Sequence, residues 1–276
     1  MIEPRSWLFV PADSERKIAK ALGSAADAII FDLEDSVAPG NKGQARGILK
    51  ELGGPGDGPQ RWVRINPLRS EHFRGEIELV LDGKFHGIVL PKAEKGEDVE
   101  DLSERTGNVP IHAIVTETPA SMFGLLSYRN ASPALAAMSW GAEDLSAAIG
   151  ASSKYDADGQ ISFTYRMARS LCLAGATAAG VQPVDGVFAD FGDEAGLISE
   201  ARAAAREGFT GKLAIHPDQV GPINQAFTPS EAEVNHAAAI VAAFEAEPNA
   251  GVLAVDGKMV DRPHLTQARR VLERSR

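Results

Sequence analysis

Apolar residues in this chain gather in eight short runs: SWLFVP, AIIFDLED, RWVRIN, GIVLPK, HAIVTE, AMSWGAED, GVFADF and KLAIHP. Nearly every run ends on a charged or hydrogen-bonding residue followed by a loop. Runs of this length, centred on Phe9, Ile30, Val63, Val89, Ile114, Met138, Val187 and Ala214, read as buried strands. Most intervals between them fit one helix and two short loops. Ser14 to Leu22 opens on a capping serine, and AGLISEARAAARE, 195–207, sets Leu197, Ile198, Ala201, Ala204 and Ala205 on one stripe before Gly208 ends it. Strand and helix alternation of this kind requires parallel pairing, and eight units make a (β/α)8 (TIM) barrel. Parallel strands point their C-terminal ends at one face. Glu34 and Asp35, Arg64, Lys92, Glu117 and Asp144, at the ends of five runs, are therefore expected to be neighbours.

Three segments fall outside the repeat. The long interval between the sixth and seventh runs carries the polar SSKYDADGQISFTYR ahead of a helical MARSLCLAGATAAG; leaving a strand's C-terminal end, it overhangs the expected active rim as a cover, a subunit contact or plain surface loop. The stretch ELGGPGDGPQ, 51–60, precedes a strand and so belongs to the opposite face. Beyond the eighth run, Ser230 and Glu233 form a capping box opening a helix, VLAVDGKMVD reads as a hairpin across an Asp-Gly turn, and a last helix runs from Arg262. The expected organisation is a barrel over 1–228 and an extension over 229–276 that packs outside it, folds over its mouth or reaches a neighbouring subunit.

Composition narrows the function classes. With 44% hydrophobic and 24% charged residues the chain is an ordinary globular protein, and no apolar run approaches the roughly 18 residues of a membrane span. The start, MIEPRSW, lacks the basic and apolar segments of a secretory signal, and the single Cys172 can form no internal disulfide, so a reducing cytoplasm is expected. A net charge of −10 argues against a nucleic-acid partner. Basic residues do gather in sequence near the first two loops, at Arg5, Arg16, Lys17, Lys20, Lys42 and Arg46, where an anionic small molecule could be met.

The rim acids carry the chemistry. Glu117 and Asp144, at the ends of adjacent runs, repel unless a proton or cation lies between them, and Mg²⁺ prefers one or two carboxylates with water and substrate completing its shell. No Cys or His cluster competes, although two rim acids paired to Arg or Lys would look the same in sequence. Arg64 offers a planar fork for a carboxylate or enolate oxygen. Lys92, surrounded by Glu34, Glu117 and Asp144, is expected to stay protonated rather than serve as a Schiff-base nucleophile. Glu34 and Asp35 read as supporting acids that orient Arg64, Lys92 or a water. Gly141 and Ala142 before Glu143 and Asp144 suggest a loop whose N–H groups approach an anion. His216 reads as structural.

Across these segments the chain resembles the citrate lyase β-subunit-like branch of the HpcH/HpaI aldolase family, acyl-CoA lyases that include malyl-CoA and citramalyl-CoA lyases. The resemblance is carried by RSWLFVP, IIFDLEDSV with Lys42 and Ala45-Arg46, WVRIN, IVLPKAE, VTETP, WGAEDL, GKLAIHPDQV with Ile223-Asn224, and DGKMVDRP. It implies Mg²⁺ on Glu117 and Asp144, substrate on Arg64, and Asp261 as an acid/base residue delivered across the interface of a homotrimer (or hexamer). The implied substrate pocket comprises Arg64, Glu117, Ala142, Glu143, Lys92 and Glu34. Its implied occupants are an acyl-CoA and a 2-oxo acid, joined or split in a Mg²⁺-dependent carbon–carbon lyase reaction. Ala12, where relatives often have Gly, and the missing Arg in LAGATAAG depart from the pattern. Three rivals follow: a citrate lyase β subunit acting on an acyl carrier protein thioester; a class II pyruvate aldolase, disfavoured because no histidine precedes His72; and a non-catalytic barrel serving as a binding module.

Overall fold

The computed structural model describes residues 3–54 and 56–275. Met1 and Ile2 of the start, Pro55 of the 51–60 stretch and Arg276 of the last helix lie outside the described residues. Strand β1 (Ser6–Pro11) leads into α1 (Glu15–Leu22), whose cap is Ser14, accepting from the Lys17 amide. The units continue through β2 (Ala28–Asp32), α2 (Lys42–Glu51), β3 (Gln60–Arg64), α3 (Phe73–Leu81), β4 (Gly87–Leu90) and α4 (Gly96–Thr106). After β5 (Ile111–Val115) come the one-turn α5 (Ser121–Gly124), β6 (Leu135–Trp140), α6 (Ala142–Ile149) and α7 (Phe163–Ala179). Strand β7 (Gln182–Asp185), α8 (Glu194–Glu207), β8 (Gly211–Ala214) and α9 (Val220–Phe227) follow.

All eight strands pair in parallel and in sequence order, and β8 pairs with β1, closing the barrel expected from the runs. Alternate residues point inward, and Trp7, Ala28, Ile30, Trp62, Val89, Ile114, Ala137, Val184 and Leu213 fill the interior. His112 joins them, 2.9 Å from Ser139 Oγ and edge-on to Trp7; burial pushes it down to about 3, so it remains a neutral packing residue. The opposite faces of β7 and β8 carry Asp185 and Lys212, both buried. Lys212 Nζ donates to Asp185 (2.9 Å), the Gly186 carbonyl (2.8 Å) and Glu200 (2.7 Å), while Arg169 and Trp140 also donate to Asp185.

Two expectations are corrected. The seventh strand is Gln182–Asp185, immediately before the run GVFADF; Pro183 within it and polar residues at both ends hide a strand that is nonetheless wholly buried. Helix α7 begins at Phe163, so four residues assigned to the polar segment are helical, and the loop is shorter by that turn.

Contacts divide the chain into two compact units, the second starting at Gln225. It contains α10 (Glu231–Ala246), capped by the Ser230–Glu233 box, the antiparallel strands β9 (Val252–Val255) and β10 (Lys258–Asp261), and α11 (Arg262–Arg274). The connecting turn places Asp256 and Gly257 at φ 51° and 74°, the left-handed pair a tight hairpin needs. Ile240, Phe244, Val255, Val260 and Leu265 form a small core of its own. Among the described residues no helix is long and apolar enough to cross a membrane.

Candidate active site

The register of β2 and β3 sets Asp32 opposite Arg64 at the C-terminal end of the barrel. Arg64 turns its fork onto that neighbour, Nε 2.7 Å from Oδ1 and Nη2 2.6 Å from Oδ2. Its Nη1 lies 3.0 Å from Glu34 Oε2, and the guanidinium carbon sits 4.7 Å from the Phe9 ring centre. Burial alone would raise Asp32, but Arg64 and the amides of Glu34 and Ser36 outweigh it and hold the carboxylate below its usual range. Arg64 stays charged. Asp32, to which the sequence reading gives no role, thus holds in place the arginine to which that reading gives one.

Lys92 is the hub between the two halves of the rim. Its ammonium is 2.5 Å from Glu34 Oε1, 3.2 Å from Asp144 Oδ1 and 3.6 Å from Asp35 Oδ2. Desolvation is the largest single influence and lowers it, yet the hydrogen bond and charge of Glu34 with the charges of Glu117 and Asp144 together outweigh it and push Lys92 up, so it remains an ammonium as expected. Its backbone is unusual as well. Lys92 and Thr116 have φ of 52° and 63°, a left-handed conformation that costs a non-glycine residue about 1–3 kcal/mol. The strain has a visible product: the Lys92 amide faces Glu117 Oε2 at 2.5 Å.

Glu117 is buried, and burial first, then the nearby charge of Asp144, pushes its carboxyl up to about 8. A proton or a cation must therefore accompany Glu117 near neutrality. It rests against Gly141, where a Cβ would come 2.7 Å from Glu117 Cγ and 2.9 Å from Oε1. Gly141 is the N-cap of α6, so GAED is a helix start rather than the loop expected, and Asp144 occupies its first turn with a partly exposed side chain. Ala142 lies at the head of that turn. Glu143 points away to an ion pair with Lys154 of the polar segment.

The structure brings Glu34, Asp35, Arg64, Lys92, Glu117 and Asp144 together, with Ala142 alongside. The His216 ring accepts from the Asp218 amide at 3.3 Å and stacks on Phe191. Asp261 belongs to the second unit, capping α11, with its Oδ1 2.5 Å from His264 Nδ1; that bond lowers its pKa. The basic cluster near the first loops does not assemble. Arg5 precedes β1 and binds Asp27, Lys42 is buried, and Arg46 faces Glu76, leaving Arg16, Lys17 and Lys20 exposed on α1.

Among the described residues no group of three or more His, Cys, Asp and Glu side chains is placed so that it could hold a metal ion. The Glu117–Asp144 pair fits the smaller demand of Mg²⁺ for one or two carboxylates, and the buried Glu117 fits a site that requires a positive charge.

The family model described as HpcH/HpaI aldolase/citrate lyase matches residues 5–217. The chain belongs to this family. A second model, of C–C bond lyases of the TIM-barrel fold, matches residues 160–276 of this HpcH/HpaI family member. Its curated relatives include a (3S)-malyl-CoA thioesterase of Cereibacter sphaeroides, 38% identical with 98% of this chain and 94% of the relative covered. The mitochondrial citramalyl-CoA lyase of Rattus norvegicus is 31% identical, with 97% and 85% covered. Among solved structures, protein CitE from Mycobacterium tuberculosis in complex with magnesium, acetoacetate and coenzyme A superposes with a TM-score of 0.85 at 36% identity, covering 98% of this chain and 97% of that one. Family and barrel are those expected from the sequence.

Proposed function

We propose that this protein is a Mg²⁺-dependent carbon–carbon lyase that cleaves a 3-hydroxy-3-carboxyacyl-CoA thioester, of the malyl-CoA or citramalyl-CoA kind, into a 2-oxo acid and an acyl-CoA. The observation that carries this reading is the rim itself: Glu117 and Asp144 joined through Lys92, with Arg64 fixed on Asp32 beside them. Glu117 and Asp144 would hold the ion. When bound, Mg²⁺ supplies Lewis-acid polarisation of the substrate's carboxylate and hydroxyl oxygens.

The chain's own groups do the rest. Arg64 presents its free N–H groups to the thioester oxygen, where negative charge grows as the carbon–carbon bond breaks. Lys92 and Glu34 keep the two halves of the rim in register and hold Lys92 as a fixed positive charge. Asp261 takes up the proton that the substrate hydroxyl gives up as it becomes the carbonyl of the 2-oxo acid and delivers it to the enolate carbon of the departing thioester, or removes the proton from that carbon in the condensing direction, work worth about 10²–10⁴-fold. The extension over 229–276 carries it to the rim of a neighbouring subunit in a homotrimer or hexamer. The fully buried, unpaired Cys172 fits a reducing cytoplasm.

Cleavage of malyl-CoA, citramalyl-CoA and citryl-CoA, with and without chelator, tests the reading. Turnover is expected only with Mg²⁺ and should be lost in Glu117→Gln. Full activity in the metal-free protein sinks the mechanism. Product analysis separates acyl-CoA release from the hydrolysis that the name of the Cereibacter relative describes, because hydrolysis liberates free CoA.

A further inference from the structure

We infer that Lys42 is a positioning residue, one that fixes the loop after β2 and through it the carboxylate of Glu34. Lys42 opens α2, eight residues after Glu34, and is buried. An ammonium has three protons to place, and here each finds an acceptor: the carbonyls of Leu33 at 2.9 Å and Glu34 at 3.0 Å, and Asn66 Oδ1 at 2.7 Å. Asn66 Nδ2 in turn donates to the same Leu33 carbonyl (2.9 Å) and to Glu76 Oε1 (2.6 Å), while its amide donates to Glu76 Oε2 (2.7 Å). Glu76 is fully buried on α3. A positive and a negative charge, both out of water, are thus joined by one amide side chain, which satisfies each of them.

The placement gives this chain more than a packing role. Its two carbonyl acceptors belong to consecutive residues, and the second is Glu34. That residue's carboxylate is 2.5 Å from Lys92 Nζ and 3.0 Å from Arg64 Nη1. From the opposite side, Asp32 holds the same loop by accepting from the Glu34 and Ser36 amides. Lys42 therefore secures the carbonyl side of a segment whose amide side Asp32 secures. Without it two buried carbonyls lose a charged donor, and Glu34 is free to leave the two cations it orients. The kinetic part of this inference rests on the lyase reading; the structural part does not.

Lys42→Met keeps side-chain length and removes the charge. Hydrogen exchange followed by mass spectrometry should find the amides of residues 33–37 exchanging about tenfold faster or more, with the barrel strands as protected as in the parent. Unchanged protection at 33–37, or a uniform loss across the barrel, overturns the inference. In thioester cleavage, kcat should fall about tenfold with KM within about twofold, and the double variant Lys42→Met/Glu34→Gln should be no slower than Glu34→Gln alone. Losses that multiply would assign Lys42 a purely structural role. Should Lys42→Met fail to fold, Asn66→Ala breaks the same chain at its neutral link and is expected to give the same pattern. If the parent protein cleaves none of the thioesters, the lyase reading fails, and the exchange experiment still decides the role of Lys42.

Discussion

Glu117 lies against the backbone of Gly141, so the dimensions of its pocket are set by a missing side chain. The Gly141 backbone, φ −124° and ψ 115°, suits any residue, so Gly141→Ala should fold, with a loss of about 1–3 kcal/mol from the overpacked contact. Its new Cβ must displace Glu117, and Mg²⁺ affinity is expected to fall about 10–100-fold, read by calorimetric titration beside a melting curve. Unchanged affinity would remove Glu117 from the metal site. Lys92 separates in the same way. Lys92→Gly retains the amide facing Glu117 and relieves the left-handed strain while deleting the ammonium. Both it and Lys92→Ala lose the ion pair to Glu34 and should lose most of their turnover, but Lys92→Ala keeps the strain and should be less stable than Lys92→Gly by about 1 kcal/mol in urea unfolding. Arg64, Lys92, Glu117 and Asp144 were legible in the sequence because each closes an apolar run. Asp32 was not, and Gly141 was read only as part of an anion-approaching loop and not as the wall against Glu117, since one acts through cross-strand register and the other through contact with a residue 24 positions away, and neither relation has a local signature.

At the scale of elements, the outward faces of β7 and β8 are tied to α7 and α8 by charges rather than by apolar packing alone. Burial would raise Asp185, but Lys212 and Arg169 outweigh it and bring it down to about 2. A carboxylate depressed in the folded state stabilises above its ordinary value and loses that contribution as pH falls through the depressed one. Lys212 is raised, so its share is complete below the ordinary lysine range and lost only at higher pH. The network therefore fails on the acid side. Urea unfolding should show the parent losing about 2 kcal/mol between roughly pH 4 and pH 2 from this carboxylate alone. Asp185→Asn, destabilised by about 3 kcal/mol at neutral pH because Lys212 remains buried with one partner fewer, should lose correspondingly less in acid. Parallel curves for the two proteins would show that Asp185 is not the group responsible. This is also where the sequence reading slipped. A strand reading QPVD closes on Asp185 because that outward position packs on ionic partners, Arg169 of α7 and Lys212 of β8, and hydrophobic patterning registers only apolar ones.

For the whole molecule, the proposal divides one catalytic site between two chains: Glu117, Asp144 and Arg64 on the barrel unit, Asp261 on the unit that begins at Gln225. The hairpin was readable in advance because its Asp-Gly turn and alternating strands are local signals, whereas the place at which the proposal has Asp261 act would be a property of the assembly, which no local pattern encodes. Complementation tests it directly. Glu117→Gln and Asp261→Asn are each expected to be inactive, one through the metal site and the other through the acid/base residue, with metal binding retained in the second. Unfolded together in equal amounts and refolded, subunits assort at random around a ring in which each barrel meets its neighbour's extension. About a quarter of the sites then combine an intact barrel with an intact Asp261, and about a quarter of parental activity should return. Refolding the variants separately and mixing them afterwards should restore little unless subunits exchange. If co-refolded samples stay inactive while the parent refolds to full activity, the site is complete within one chain, and the extension serves its own barrel rather than a neighbour's.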